Sequence, residues 1–154
     1  MKKAEKIDYL LQHLNSLLTR SSDQILLREL GIGYSQYKIL RALSSGPSVK
    51  QRDIAENLGQ TEASISRQID LMSKGGLVSK LKDPNNKRAH IILVTIKGDK
   101  LTDSATKLLN KFYDQLFENV RDNKKDLYLD TLTDLHNLIC QIDHFPDKTE
   151  LYNP

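Results

Sequence analysis

Gly59-Gln60-Thr61 constrains this chain more tightly than any other stretch. It is all that separates two segments of helical periodicity, RDIAENL and EASISRQIDLMSKG, so two helices must turn across each other there. Glycine can end the first because it adopts a left-handed cap without steric cost. Thr61 can cap the second by accepting an exposed backbone N–H. Glu62 comes next in the first turn, where a carboxylate favours the helix dipole. Ile54, Ala55, Leu58, Ile65, Ile69 and Leu71 or Met72 supply a buried face. The opposite face of the second helix carries Ser64, Arg67 and Gln68, with Ser66 beside them and Gln60, Thr61 and Glu62 at its start.

The segment beyond the second helix narrows the architecture further. Gly75-Gly76 ends that helix, and Leu77 to Leu81 and Ala89 to Thr95 read as two short strands. Between them DPNNKR makes a turn ending in the cations Lys87 and Arg88. A helix-turn-helix succeeded at once by a basic β-hairpin is a winged helix, here spanning residues 34–96. Upstream, apolar positions from Ile7 to Leu26 predict a helix over 6–30, with a kink or break at Ser21-Ser22-Asp23 and a close at Gly31 and Gly33. Ser35 is expected to cap the next helix, and Ser48-Val49-Lys50-Gln51 to form a capping box for the one after it. Downstream, 97–143 reads as two amphipathic helices, the last capped by Asn123, with a frayed tail after Phe145-Pro146. The fold class is therefore mainly α, a single domain over 1–154 with one two-stranded hairpin.

Charge separates the parts. The net charge of +3 conceals a middle, residues 64–100, with eight Lys/Arg against three Asp, and an end, 101–154, with six against ten acids. The middle suits a polyanion. Arg67 is the favoured reader of a base edge, since arginine can pair with guanine O6 and N7, and it can equally take a phosphate. Arg88 is preferred at the hairpin tip because a planar guanidinium can enter a narrow minor groove.

Hydrophobic residues make up 38% of the chain and mean hydropathy is −0.50, low for a chain that buries its whole core alone. The leucine-rich segments 6–30 and 97–143 are accordingly expected to pair with those of a second copy. No apolar run approaches the roughly 20 residues of a membrane span. The single Cys140 cannot form an intramolecular disulfide, and a cytoplasmic location is expected. No nucleophile elbow, phosphate loop, dinucleotide glycine signature or zinc-protease helix occurs, so no enzyme and no cofactor are expected. His136, Cys140 and His144 recur every fourth residue. They span about 12 Å of helix, too far for one ion to take all three, and they read as polar edges of a helical interface rather than a metal site.

Taken together, SQYKILRAL, KQRDIAENLGQTEASISRQIDLMSKGGLVSK and DPNNKRAHIILVTIKG resemble the multiple-antibiotic-resistance regulator (MarR) family, in an element order covering nearly the whole chain. The resemblance implies a dimeric winged-helix transcription regulator that binds a pseudo-palindromic operator. In such a protein the helix over 62–74 enters the major groove, the wing over 83–90 meets the minor groove, and the first and last helices form the dimer. It also suggests a repressor and a small aromatic or phenolic effector, for which Tyr9, Tyr34, Tyr37, Phe112 and Tyr113 are the candidate lining. The family's wing carries Asp-Arg-Arg where this chain has Asn86-Lys87-Arg88, so the tip stays cationic but lacks the carboxylate.

Overall fold

The structure, a computed structural model, describes the backbone of residues 2–44, 50–83 and 86–142, with side chains described except at 86–89 and 140–142. Six helices and two strands occur in the order α1 (Lys3–Leu30), α2 (Tyr34–Ser44), α3 (Gln51–Leu58), α4 (Glu62–Lys74), β1 (Val78–Asp83), β2 (Asn86–Val94), α5 (Ile96–Phe117) and α6 (Asp122–Ile142). The chain divides into two compact units, Met1–Leu109 and Asn110–Pro154.

In the first unit α2 is the central element, in contact with α1, α3, α4 and β2. Its Tyr37, Ile39, Leu40, Ala42 and Leu43 are all buried. Leu26 of α1, Ile54 of α3, Ile65 and Ile69 of α4 and Ile92 of β2 are also buried, each contributing about 1.5–3 kcal/mol on leaving water. The register of α4 decides between the two residues its sequence left open: Met72 is 1% exposed and Leu71 is 56% exposed.

Helix boundaries differ from expectation in three places, and at α2 the reason is tertiary. α1 begins at Lys3 and runs unbroken through Ser21-Ser22-Asp23. Ser22 is fully buried, and the Asp23 carboxylate accepts from the Tyr34 N–H at 2.8 Å instead of turning its own backbone. With Gln36 Oε1 accepting from the Gly33 N–H at 3.1 Å, that bond starts α2 at Tyr34 and leaves Ser35 inside the helix. α6 begins at Asp122, placing Asn123 in its first turn, where Lys125 Nζ donates to Asp122 Oδ1 at 2.9 Å. The expected capping box at Ser48 and Val49 lies outside the described residues, and Lys50 is the N-cap of α3. Gly31 ends α1 with φ 69°, the left-handed cap expected of it.

The strands are longer than expected, the first running to Asp83 and the second starting at Asn86. The strands pair antiparallel from Val78 opposite Val94 to Lys82 opposite His90, with an irregularity before Asp83 opposite Asn86. Residues directly opposite share a face. Val78, Lys80, Ile92 and Val94 therefore lie on one side, and the burial of Val78 and Ile92 marks it as the inward one.

The second unit contains the end of α5 and α6. Phe112 and Tyr113 meet with ring centroids 5.3 Å apart. None of the described α6 side chains is buried, and Leu127, Leu129, Leu138 and Ile139 are exposed apolar residues.

The α4 register makes a direct prediction. Met72→Ala should cost about 2–5 kcal/mol in urea unfolding, as large-to-small core changes do. Leu71→Ala should stay within about 0.5 kcal/mol. Equal losses would mean that the buried face is placed wrongly.

Candidate nucleic-acid interface

α4 is fixed from its first residue. Gly59 closes α3 with φ 60°, and the Gln60 N–H donates to Ala55 O at 2.9 Å, which turns the chain sharply. Thr61 caps α4 as expected, its Oγ1 accepting from the Ser64 N–H at 3.2 Å. Glu62 is exposed in the first turn.

The Gln60 amide does more than face outward. Its Nε2 donates to Ser35 Oγ at 3.2 Å, and its Oε1 accepts from Ser64 Oγ at 3.4 Å. This relay links α2, the turn and the first turn of α4, and so orients the end of the helix. It was not legible in the sequence, because residues 35 and 60 become neighbours only through packing.

Burial of Ile65, Ile69 and Met72 points the other side of α4 outward. Ser64, Arg67, Gln68 and Leu71 succeed one another at helical spacing on that side, with Arg67 and Leu71 exposed and Ser64 and Gln68 half-buried. Ser66 is half-buried on the flank. Among the described residues Arg67 has no ion-pair partner. Arg52 of α3 is different: its guanidinium binds Glu56 at 2.9 Å, and that hydrogen bond holds its pKa above the ordinary arginine value. Lys87 and Arg88 lie in the first residues of β2, beside the bend; their side chains and the turn residues 84 and 85 lie outside the described part.

One further interaction joins α4 to the hairpin. Asp70 Oδ1 accepts from Lys80 Nζ, across the Gly75-Gly76 turn. Lys80 reaches it because it stands on the inward face of β1 between Val78 and the tip. The hydrogen bond from Lys80 holds the Asp70 carboxyl below the usual carboxylate range, and the charges of Lys80, Lys74 and His90 act in the same direction. The only sequence signal was an acid and a base of opposite sign flanking a glycine turn.

The aromatics named from the sequence take separate places. Tyr34 and Tyr37 stack with centroids 6.0 Å apart, and Lys38 Nζ lies 5.3 Å from the Tyr34 ring centre. Tyr37 is buried, with its hydroxyl 3.1 Å from Thr106 Oγ1. Tyr9 is exposed and stacks on His13. Among the described residues no group of His, Cys, Asp and Glu has the arrangement of a metal site.

A helix with an outward polar face and an adjoining basic hairpin can lay side chains against base edges and phosphates together. Comparison with known proteins agrees with that geometry. Residues 32–90 match the MarR family model. The regulator FarR of Neisseria gonorrhoeae is 26% identical over 126 residues, covering 82% of this chain and 85% of that protein. The crystal structure of a MarR-family regulator from Rhodococcus sp. RHA1 superposes with a TM-score of 0.76 at 24% identity, covering 88% of this chain and 95% of the other. CouR from Rhodococcus jostii RHA1, solved with p-coumaroyl-CoA bound, gives a TM-score of 0.71 at 24% identity over 86% and 92%.

Because the folded Asp70 pKa is depressed, its pairing contributes stability above the ordinary carboxylate pKa and loses it as pH falls through the folded value. Lys80→Met should move the Asp70 titration, tracked by carboxyl carbon NMR, up toward the ordinary range. An unmoved titration would show that Lys80 does not hold it down.

Proposed function

We propose that the chain, whose residues 32–90 match the MarR family model, acts as a cytoplasmic, dimeric, sequence-specific DNA-binding repressor. The observation that carries this reading is the outward face of α4, whose exposed Arg67 is unpaired among the described residues and sits beside a hairpin with adjacent cations near its bend. In the proposed complex α4 enters the major groove, where Arg67 reads guanine or grips phosphate and Ser64, Ser66 and Gln68 add shorter contacts. Gln60, Thr61 and Glu62 lie at the groove-facing end, and Arg88 with Lys87 enters the flanking minor groove from the wing.

Dimerisation is the second part of the proposal. Ile7, Leu10, Leu14 and Leu17 on α1 and Leu127, Leu129, Leu138 and Ile139 on α6 support it, because each helix exposes large apolar side chains within its own unit. Two copies joined there would carry two recognition helices for half-sites of a pseudo-palindromic operator, roughly 34 Å apart. An aromatic effector is the third part. CouR was solved with p-coumaroyl-CoA bound, and the half-buried Tyr34, stacked on the buried Tyr37, offers aromatic surface here.

Duplexes selected from a random pool by the purified protein test the reading. Arg67→Ala should cost about 1–3 kcal/mol of binding and relax base preference at one position, whereas Arg88→Ala should weaken binding evenly across sequences and flatten its salt dependence. Two mutants that bind like wild type would refute the contact assignment. Sedimentation at micromolar concentration should give a dimer, and a stable monomer would refute the paired-helix reading.

A further inference from the structure

We propose that Thr95, Lys97 and Gly98 form a rigid elbow that locks the end of α4 to the first turns of α5, and that this lock, in the DNA-binding dimer of the proposed function on which it rests, positions the recognition helix for paired half-site binding.

Three consecutive carbonyls beyond the end of α4 are all captured by this one short segment. Gly75 O accepts from Lys97 Nζ at 2.8 Å. Gly76 O accepts from Thr95 Oγ1 at 2.7 Å. Leu77 O accepts from the Thr95 N–H at 3.1 Å. The Thr95 hydroxyl oxygen also accepts from the Gly98 N–H at 3.0 Å, which makes it the cap of α5. One side chain thus starts α5 and holds the residues that close α4.

Packing removes the remaining slack. Gly98 is buried, and a Cβ there would collide with the Leu77 carbonyl oxygen and stand 2.8 Å from Val94 Cγ1. A helix cap alone requires only the bond from Gly98 to Thr95. The additional carbonyl bonds and the absence of room for a methyl group tie two elements to each other. When α5 turns about this point, either the three bonds break or the end of α4 moves with it. In a dimer joined through its terminal helices, the elbow therefore helps set the separation and tilt of the two recognition helices.

Spacing discrimination tests this role, because a change in stability alone would not move it. The probes are duplexes selected by the wild-type chain, then altered by one base pair added or removed between half-sites. Wild type should lose about 10-fold or more in affinity for each altered spacing, and Gly98→Ala and the double variant Thr95→Val/Lys97→Met should lose no more than about 3-fold. Thr95→Ser, which keeps the hydroxyl, should discriminate like wild type. Thermal unfolding shows which variants fold; if Gly98→Ala does not, the double variant carries the comparison. A wild type indifferent to spacing, or folded variants as discriminating as wild type, overturns the elbow alone. A wild type that binds no selected duplex overturns the proposed function and the elbow with it.

Discussion

The burial of one face of α4 is the constraint on which the rest of the winged-helix region depends. Ile65, Ile69 and Met72 fall on that face, and all three leave water almost completely. A helix buried along one side has no rotational freedom left, so the direction of its other side is settled at the same moment. Arg67 is exposed because its neighbours two places before and after it are not. The polar contacts then refine a rotation that packing has already chosen. The Gln60 relay holds the first turn, the Asp70–Lys80 pair joins the middle to the hairpin, and the carbonyls after Lys74 are held from Thr95 and Lys97.

Electrostatics divides its work in the same economical way. Arg52 and Lys80 each have a carboxylate partner, which fixes them as parts of the scaffold. Arg67 has none among the described residues and keeps its charge available. Surface pairs of this kind stabilise the fold little, so their effect lies in orientation. The exposed apolar positions of α1 and α6 have no comparable polar partner. They support the proposal that the chain pairs with a second copy.

Much of the winged-helix region was legible because its signals are local. Helical spacing, a glycine that can take positive φ at 59, a threonine cap at 61 and β-branched residues before Thr95 each act within a few residues of chain. The order of helices, the hairpin and the outward position of Arg67 result from them. Misreadings came where a side chain serves a distant element. Asp23 looked like a helix breaker and is instead the cap of α2. Ser35 looked like that cap and is instead a partner of Gln60. Thr95 looked like the end of a strand and is the start of α5.

The sequence by itself determined the element order, the helix-turn-helix joint, the concentration of cations in the middle of the chain and the family resemblance, because these depend on short-range periodicity and composition. Only the tertiary structure decided that Met72 rather than Leu71 is buried, that Lys80 pairs with Asp70, and that Thr95 and Lys97 bind the carbonyls beyond the end of α4. Those outcomes depend on which segments meet in space. A local pattern offers several residues capable of the same bond or the same burial, and the competition among them is resolved only when the elements pack.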